Sequence, residues 1–233
     1  MDEAPTDAPD ARMNEWQTAE HALAYLERAD RVPHRAAGEA VLLDEIPAHA
    51  RRVLDLGSGD GRLMDFVLSA RPQARGVALD FSPPMLQRLK ERFGSNSRVD
   101  IVQHDLGHPL PDLGAFSAVV SSFAIHHLSH ERKRTLYQEI WSMVEPGGVF
   151  CNLEHVASPS VRVHHRFLEA MGTTPEQEDP SNQLLDVGSQ LRWLREIGFE
   201  DVDCYWKWRE LALLVGHKDV LQEGYGAAPG RPV

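Results

Sequence analysis

Cysteine is nearly absent from this sequence. Cys151 and Cys204 are its only two in 233 residues, and they stand far apart. That spacing offers neither a disulfide framework nor a metal-binding pair. It suits a reducing compartment, so the expected location is cytoplasmic. No apolar run nears the length needed to cross a bilayer, and the first residues lack the charged-then-apolar order of a secretion signal. No membrane partner is therefore expected. Positive charge is also short: 24 Lys and Arg face 35 Asp and Glu, a formal net charge of −11. Nucleic-acid binding rests on Lys and Arg neutralising phosphates, so that partner is not expected and a small molecule is.

What is present is a hydrophobic fraction of 42%, enough for the core of one α/β domain. The chain is organised around Arg51 to Leu63. Val53 to Leu56 reads as a buried strand, Gly57, Gly59 and Gly61 follow at alternate positions, and Arg62 to Leu68 has helical spacing. Glycines let the backbone take positive φ and let a ligand approach without a Cβ in the way. The N–H groups that open the next helix then face whatever occupies the turn. Two common nucleotide readings fail. Arg62 stands where the dinucleotide fingerprint needs its third glycine, and the Gly-Lys-Ser/Thr of a phosphate loop is missing. Asp55, two residues before the first glycine, is badly placed for a pyrophosphate and well placed for a ligand carrying an ammonium group.

A second strand, Ala74 to Asp80, ends in an acid 19 residues beyond Gly61. A carboxylate there can accept from both hydroxyls of a ribose, and Phe81 beside it can lie against a purine. Ser82 and Pro83 open the next helix as N-cap and first helical residue. A third strand, Arg98 to Asp105, again ends in an acid, and Phe116 to Ser122 is the fourth.

In this order the segments resemble the class I S-adenosylmethionine-dependent methyltransferases of small-molecule type. Val53 to Gly61 resembles their first motif, and His126 to Leu128 and Glu145 to Gly148 are similar to later ones; the likeness covers residues 50 to 155 best. It implies a doubly wound α/β fold with a seven-stranded, mostly parallel sheet and N-terminal lid helices. The implied cofactor is S-adenosylmethionine, and the implied reaction is methyl transfer to an oxygen or nitrogen of a small molecule. By the same likeness Asp55, Gly57, Ser58, Gly59 and Gly61 hold the methionine end, together with Ser121 and Ser122. Asp80 holds the ribose, and Phe81, Met85, Asp105 and Leu106 surround the adenine. Ser117 departs from the Asp common at its position. The Asn/Asp-Pro-Pro-aromatic peptide of adenine- and amide-methylating branches is missing after the fourth strand, which argues against those substrates.

His126, His127 and His155 are candidate bases, because imidazole titrates near neutrality. The alternative is that one of the adjacent pair packs while its neighbour faces solvent. Trp16, Tyr25 and Arg35, on helices that can fold over the open end of a sheet, and Arg166 are candidate substrate contacts; Arg35 read blandly is a solvated surface charge. No metal is expected, since the adjacent His164 and His165 face different ways on a helix. The expected organisation is a disordered tail at 1–12, lid helices at 13–48, the cofactor-binding domain at 49–217 with a substrate-side insertion at 156–186, and a flexible tail at 218–233, as a monomer or homodimer. Two closing strands, 199–208 and 209–216, should carry Cys204, Trp206 and Trp208 on one face. This ending is loosely similar to the carboxy-S-adenosylmethionine synthases, which would need an arginine for the extra carboxylate. A non-catalytic binding protein is the third reading.

Overall fold

The computed structural model describes residues 32–219. Trp16, Tyr25, the expected tail at 1–12, the first lid helix and most of the C-terminal tail lie outside the described residues.

Helix α1, Arg35–Glu45, ends where Ile46 turns extended ahead of Pro47; a residue before proline is kept out of the helical region. Then follow β1 Arg52–Leu56, α2 Arg62–Ala70, β2 Arg75–Asp80, α3 Pro83–Phe93, β3 Val99–Gln103 and β4 Phe116–Ser122. A short 3-10 turn at Ile125–His127 leads to α4 His130–Met143, β5 Val144–His155, α5 Val161–Met171, α6 Val187–Ile197, β6 Glu200–Trp208 and β7 Leu211–His217. The sheet order is β3-β2-β1-β4-β5-β7-β6. The strand pairs from β3 to β5 are parallel, and β7 runs antiparallel to both β5 and β6. This is the expected seven-stranded, doubly wound sheet.

Alternation along the strands builds two apolar layers. Val53, Ala78, Ala118, Val120, Cys151 and Leu153 face α1, α2 and α3 through Leu42, Met64, Val67, Leu89 and Phe93. Leu54, Leu56, Val119 and Phe150 face α4 and α6 through Leu136, Tyr137, Ile140 and Leu194. Cys151 is thus a core residue, and burial pushes its thiol above the ordinary range. Local signals delimit the helices. Ser129 caps α4 by accepting from Arg132 N–H, and Gly198 closes α6 in the left-handed conformation. Ser82 is the N-cap of α3, although its hydroxyl makes no capping bond.

One expectation is corrected. Cys204 pairs with Leu214, but Trp206 pairs with Leu213, with a register shift between them. Tyr205 is the extra residue of a bulge, and an extra residue moves everything after it to the opposite face. Cys204 therefore packs in the α4/α6 layer, while Trp206 and Trp208 pack on the other side of the sheet.

Strand order reverses at β1: the chain adds β2 and β3 on one side of β1, then returns to place β4, still parallel, on its other side. At such a switch point the loops leaving the strand ends diverge and open a crevice. No helix among the described residues is long and apolar enough to cross a membrane.

Candidate functional site

The crevice floor is the turn after β1. Gly57, Gly59 and Gly61 all have positive φ, at 68°, 57° and 84°. Their surroundings differ. A Cβ on Gly57 would lie 2.3 Å from Ala124 Cβ, so that glycine lets the loop after β4 close against the turn. A Cβ on Gly59 would meet nothing within 4 Å, so that position faces open space. Ser58 braces the turn: its hydroxyl donates to the Asp55 carbonyl at 2.9 Å and accepts from Leu79 N–H at 3.1 Å.

Two acids flank the open position. Gly59 N–H donates to Asp80 Oδ2 and Ser82 N–H to Asp80 Oδ1, both at 2.8 Å. Burial raises the Asp80 pKa to about 6 despite these donors. Asp55 lies on the α2 side of β1 with 1% of its surface exposed, and its Oδ2 is buried without a hydrogen-bond partner. Burial pushes its pKa up to about 7; the Ser58 hydroxyl opposes this, and the nearby Asp80 and Asp60 charges add to it.

The remaining cofactor candidates divide. Leu106 approaches the turn, with its Cδ1 3.8 Å from where a Gly57 Cβ would stand. Phe81 is half-buried beside Asp80, and Met85 is buried. Asp105 lies just past β3 and accepts Gly107 N–H at 2.7 Å, closing its own turn. The Ser121 hydroxyl donates to the Leu56 carbonyl at 2.9 Å, as a strut between β4 and β1. Ser122 Oγ is buried with no partner.

At the ends of β4 and β5 three imidazoles cluster. The rings of His126 and His127 lie 4.0 Å apart, and those of His126 and His155 lie 5.7 Å apart. Each binds a different polar group. His126 Nδ1 is 2.7 Å from Glu154 Oε1, His155 Nε2 is 3.0 Å from Glu210 Oε2, and His127 Nδ1 is 2.8 Å from Ser181 Oγ. Burial lowers the pKa of both His126 and His127. Burial also raises Glu154 to about 6, with the Lys133 charge opposing. His164 reaches the same Glu210 carboxylate at 3.1 Å and Glu178 at 3.0 Å. Burial would raise Glu210, but hydrogen bonds from His155, Ser158 and His164 hold it below the ordinary carboxyl range. A groove of about 600 Å³ runs between α5 and the 178–184 segment, lined by Ser158, Val161, His164, Glu178, Asp179 and Asn182 among others.

The arginines fall elsewhere. Arg35 is buried, not solvated: it pairs with Glu39 at 2.8 Å and lies over the Phe123 ring at 5.3 Å. Arg62 binds the same Glu39 carboxylate at 2.9 Å, which accounts for an arginine at the position of the missing third glycine. Arg166 is exposed and does not line the groove. It follows His164 by two residues, and about 200° of helical rotation turns it to the opposite face. Sequence reasoning missed Glu39, Lys133, Asp179, Ser181 and Glu210. The substrate-side insertion expected at 156–186 covers Asp179 and Ser181.

Comparison with known proteins bears on the fold and the family. Residues 53–148 match the family model of a methyltransferase domain. A carboxy-S-adenosyl-L-methionine synthase of Chromohalobacter salexigens is 26% identical over 160 residues, 61% of this chain and 58% of that one. An uncharacterized methyltransferase of Mycobacterium tuberculosis H37Rv is 34% identical over 125 residues, 53% of this chain and 60% of that one. The chain thus spans about three fifths of the length of these curated relatives. Among solved structures, an O-methyltransferase family protein from Burkholderia thailandensis superposes with a TM-score of 0.69 at 18% identity, covering 91% of this chain and 64% of that one. Residues 53–148 of the chain thus carry a methyltransferase domain, and the fold is shared with that O-methyltransferase family structure.

Proposed function

We propose that this protein transfers a methyl group from S-adenosylmethionine to an oxygen or nitrogen of a small-molecule acceptor. The observation that carries the reading is the pairing of open space at Gly59 with the orphaned, buried oxygen of Asp55. A buried carboxylate oxygen without a partner is costly, and a ligand ammonium group would supply what it lacks. When bound, S-adenosylmethionine supplies a methyl already activated on a sulfonium. The protein's own task is then to orient and to exclude water. In this reading Asp55 and the glycine turn hold the methionine end, Asp80 accepts from the ribose hydroxyls, and Leu106 and Phe81 border the adenine. Arg35 stands over Phe123 and braces the crevice wall through Glu39. The imidazole cluster at the ends of β4 and β5 is where an acceptor would lose its proton.

The carboxy-S-adenosylmethionine synthase reading needs an arginine directed at an extra carboxylate. Arg35 and Arg62 are engaged by Glu39, and Arg162 and Arg166 are exposed on α5, so this reading has less support. Calorimetry with S-adenosylmethionine and S-adenosylhomocysteine tests the proposal. Binding of both, lost in Asp80→Ala, is expected; no binding of either overturns it in favour of a non-catalytic protein. Mass spectrometry of a metabolite extract incubated with methyl-labelled cofactor would then identify the acceptor.

A further inference from the structure

Ser181 Oγ lies 2.6 Å from Asp179 Oδ1 and 2.8 Å from His127 Nδ1. A hydroxyl has one hydrogen to give, and an ionised carboxylate has none. At 2.6 Å the Ser181 hydrogen must lie on the contact with Asp179, because two bare oxygens would repel. The hydrogen between Ser181 and His127 must then come from the imidazole. With Nδ1 protonated, a neutral ring keeps its lone pair on Nε2, and whatever Nε2 meets, it meets as an acceptor. Burial and the neighbouring His126 keep the ring neutral.

The contact between Ser181 and His127 is held rigidly, although the two residues are 54 apart in the chain. Ser181 N–H also donates to Asp179 Oδ1 at 2.9 Å, which closes the turn that carries both residues. The segment is then fastened to the histidine loop. Gln183 N–H donates to the His126 carbonyl at 2.9 Å, and the Gln183 amide to the His127 carbonyl at 3.2 Å. The buried Lys133 Nζ donates to the carbonyls of Leu128, His126 and Gln183, the last at 2.6 Å. The same loop presses Ala124 against Gly57, so the imidazole is coupled to the crevice floor through packed backbone. Asp179 in turn lines the groove.

We propose that Asp179 and Ser181 are positioning residues that hold His127 as its Nδ1–H tautomer, so that Nε2 takes the proton shed by the methyl acceptor. The acceptor's O–H or N–H bond breaks, its electron pair stays on that oxygen or nitrogen, and the proton moves to Nε2. The imidazolium so formed is stabilised by Asp179 through Ser181. His126 and His155 are fixed differently, each directly against a carboxylate. The catalytic half of this inference rests on the methyl-transfer reading; the tautomer half does not.

The test is a long-range proton–nitrogen correlation spectrum of the imidazoles in uniformly ¹⁵N-labelled protein at pH 7, with His127 assigned from the signals lost in His127→Gln. The expected result is a neutral ring protonated at Nδ1 in wild type. Ser181→Ala and Asp179→Asn should each convert it to a mixture containing the Nε2–H form, and Ser181→Thr should keep the wild-type pattern. A wild-type ring protonated at Nε2, a doubly protonated ring, or a pattern unmoved in both variants overturns the proposal. Should Ser181→Ala fail to fold, the wild-type and Asp179→Asn spectra decide. Calorimetry with S-adenosylhomocysteine on the same samples separates the two readings. Binding of S-adenosylhomocysteine by wild type is expected. Absence of binding in wild type would overturn methyl transfer while leaving the tautomer to its own spectrum.

Discussion

The backbone N–H of Gly59 donates to the Asp80 carboxylate at 2.8 Å, and this contact ties the turn after β1 to the end of β2. The second oxygen of the same carboxylate is held by Ser82 N–H. Each oxygen keeps a further lone pair, so Asp80 is oriented by the protein and can still accept from a diol. One side chain thus sets the shape of the turn and supplies its acceptor.

Removing that side chain should affect both tasks. For Asp80→Ala we expect S-adenosylhomocysteine to bind at least ~30-fold more weakly, about 2 kcal/mol. Asp80→Asn, which keeps the shape but not the charge, should fall between it and wild type. Calorimetry at one salt concentration checks the order.

The glycines of the turn should respond differently to a single methyl group. Gly59→Ala has room for its Cβ and incurs mainly the left-handed backbone penalty of roughly 1–2 kcal/mol, yet it places the new group in the crevice. Affinity should fall more than stability. Gly57→Ala would collide with Ala124 at 2.3 Å, and stability should fall first. Urea unfolding and calorimetry on both variants separate the effects.

The raised Asp55 pKa makes a signed prediction. Between the ordinary value of 3.8 and about 7, the folded state binds more protons at this site than the unfolded state. Stability of the ligand-free protein should therefore decline as pH rises through that window and level off above it. Asp55→Asn removes this contribution, so its thermal midpoint relative to wild type should be higher at pH 8 than at pH 4. The same variant should bind S-adenosylmethionine more weakly at pH 8, because the partner for the ammonium group is gone. Differential scanning calorimetry across pH provides the first check.

Glu39 is buried between Arg35 and Arg62. Losing the shared buried carboxylate removes one charge partner from each of two guanidinium groups, so Glu39→Ala should cost roughly 3–5 kcal/mol. Arg62 is the more exposed of the two arginines, and Arg62→Ala should cost less. Chemical denaturation of both variants tests the ranking.

Legibility in the sequence followed the range of each interaction. Strand β4 matches the expected bounds, since its apolar run is set along one stretch of chain, and the caps and closing glycines that delimit α5 and α6 also act within a turn or two. The bulge at Tyr205 had no such trace. Its alternation reads as one continuous strand, and only pairing with β7 reveals the extra residue. Arg35 was misjudged for a related reason: charge type alone argues for the surface, and although Glu39 stands four residues on in the same helix, its burial and its second partner Arg62 follow only from packing α1 against α2.

By itself the amino-acid order determined the parallel strands, the placing of Gly57, Gly59 and Gly61 between a strand and a helix, and the acids at Asp55 and Asp80, because these depend on spacing along one stretch of chain. Only the tertiary structure decided which glycine faces open space, which oxygen of Asp55 lacks a partner, and that His127 meets Ser181 across 54 residues. Polar contacts between distant segments carry no period and no fixed offset. They exist only once the core has brought the segments together.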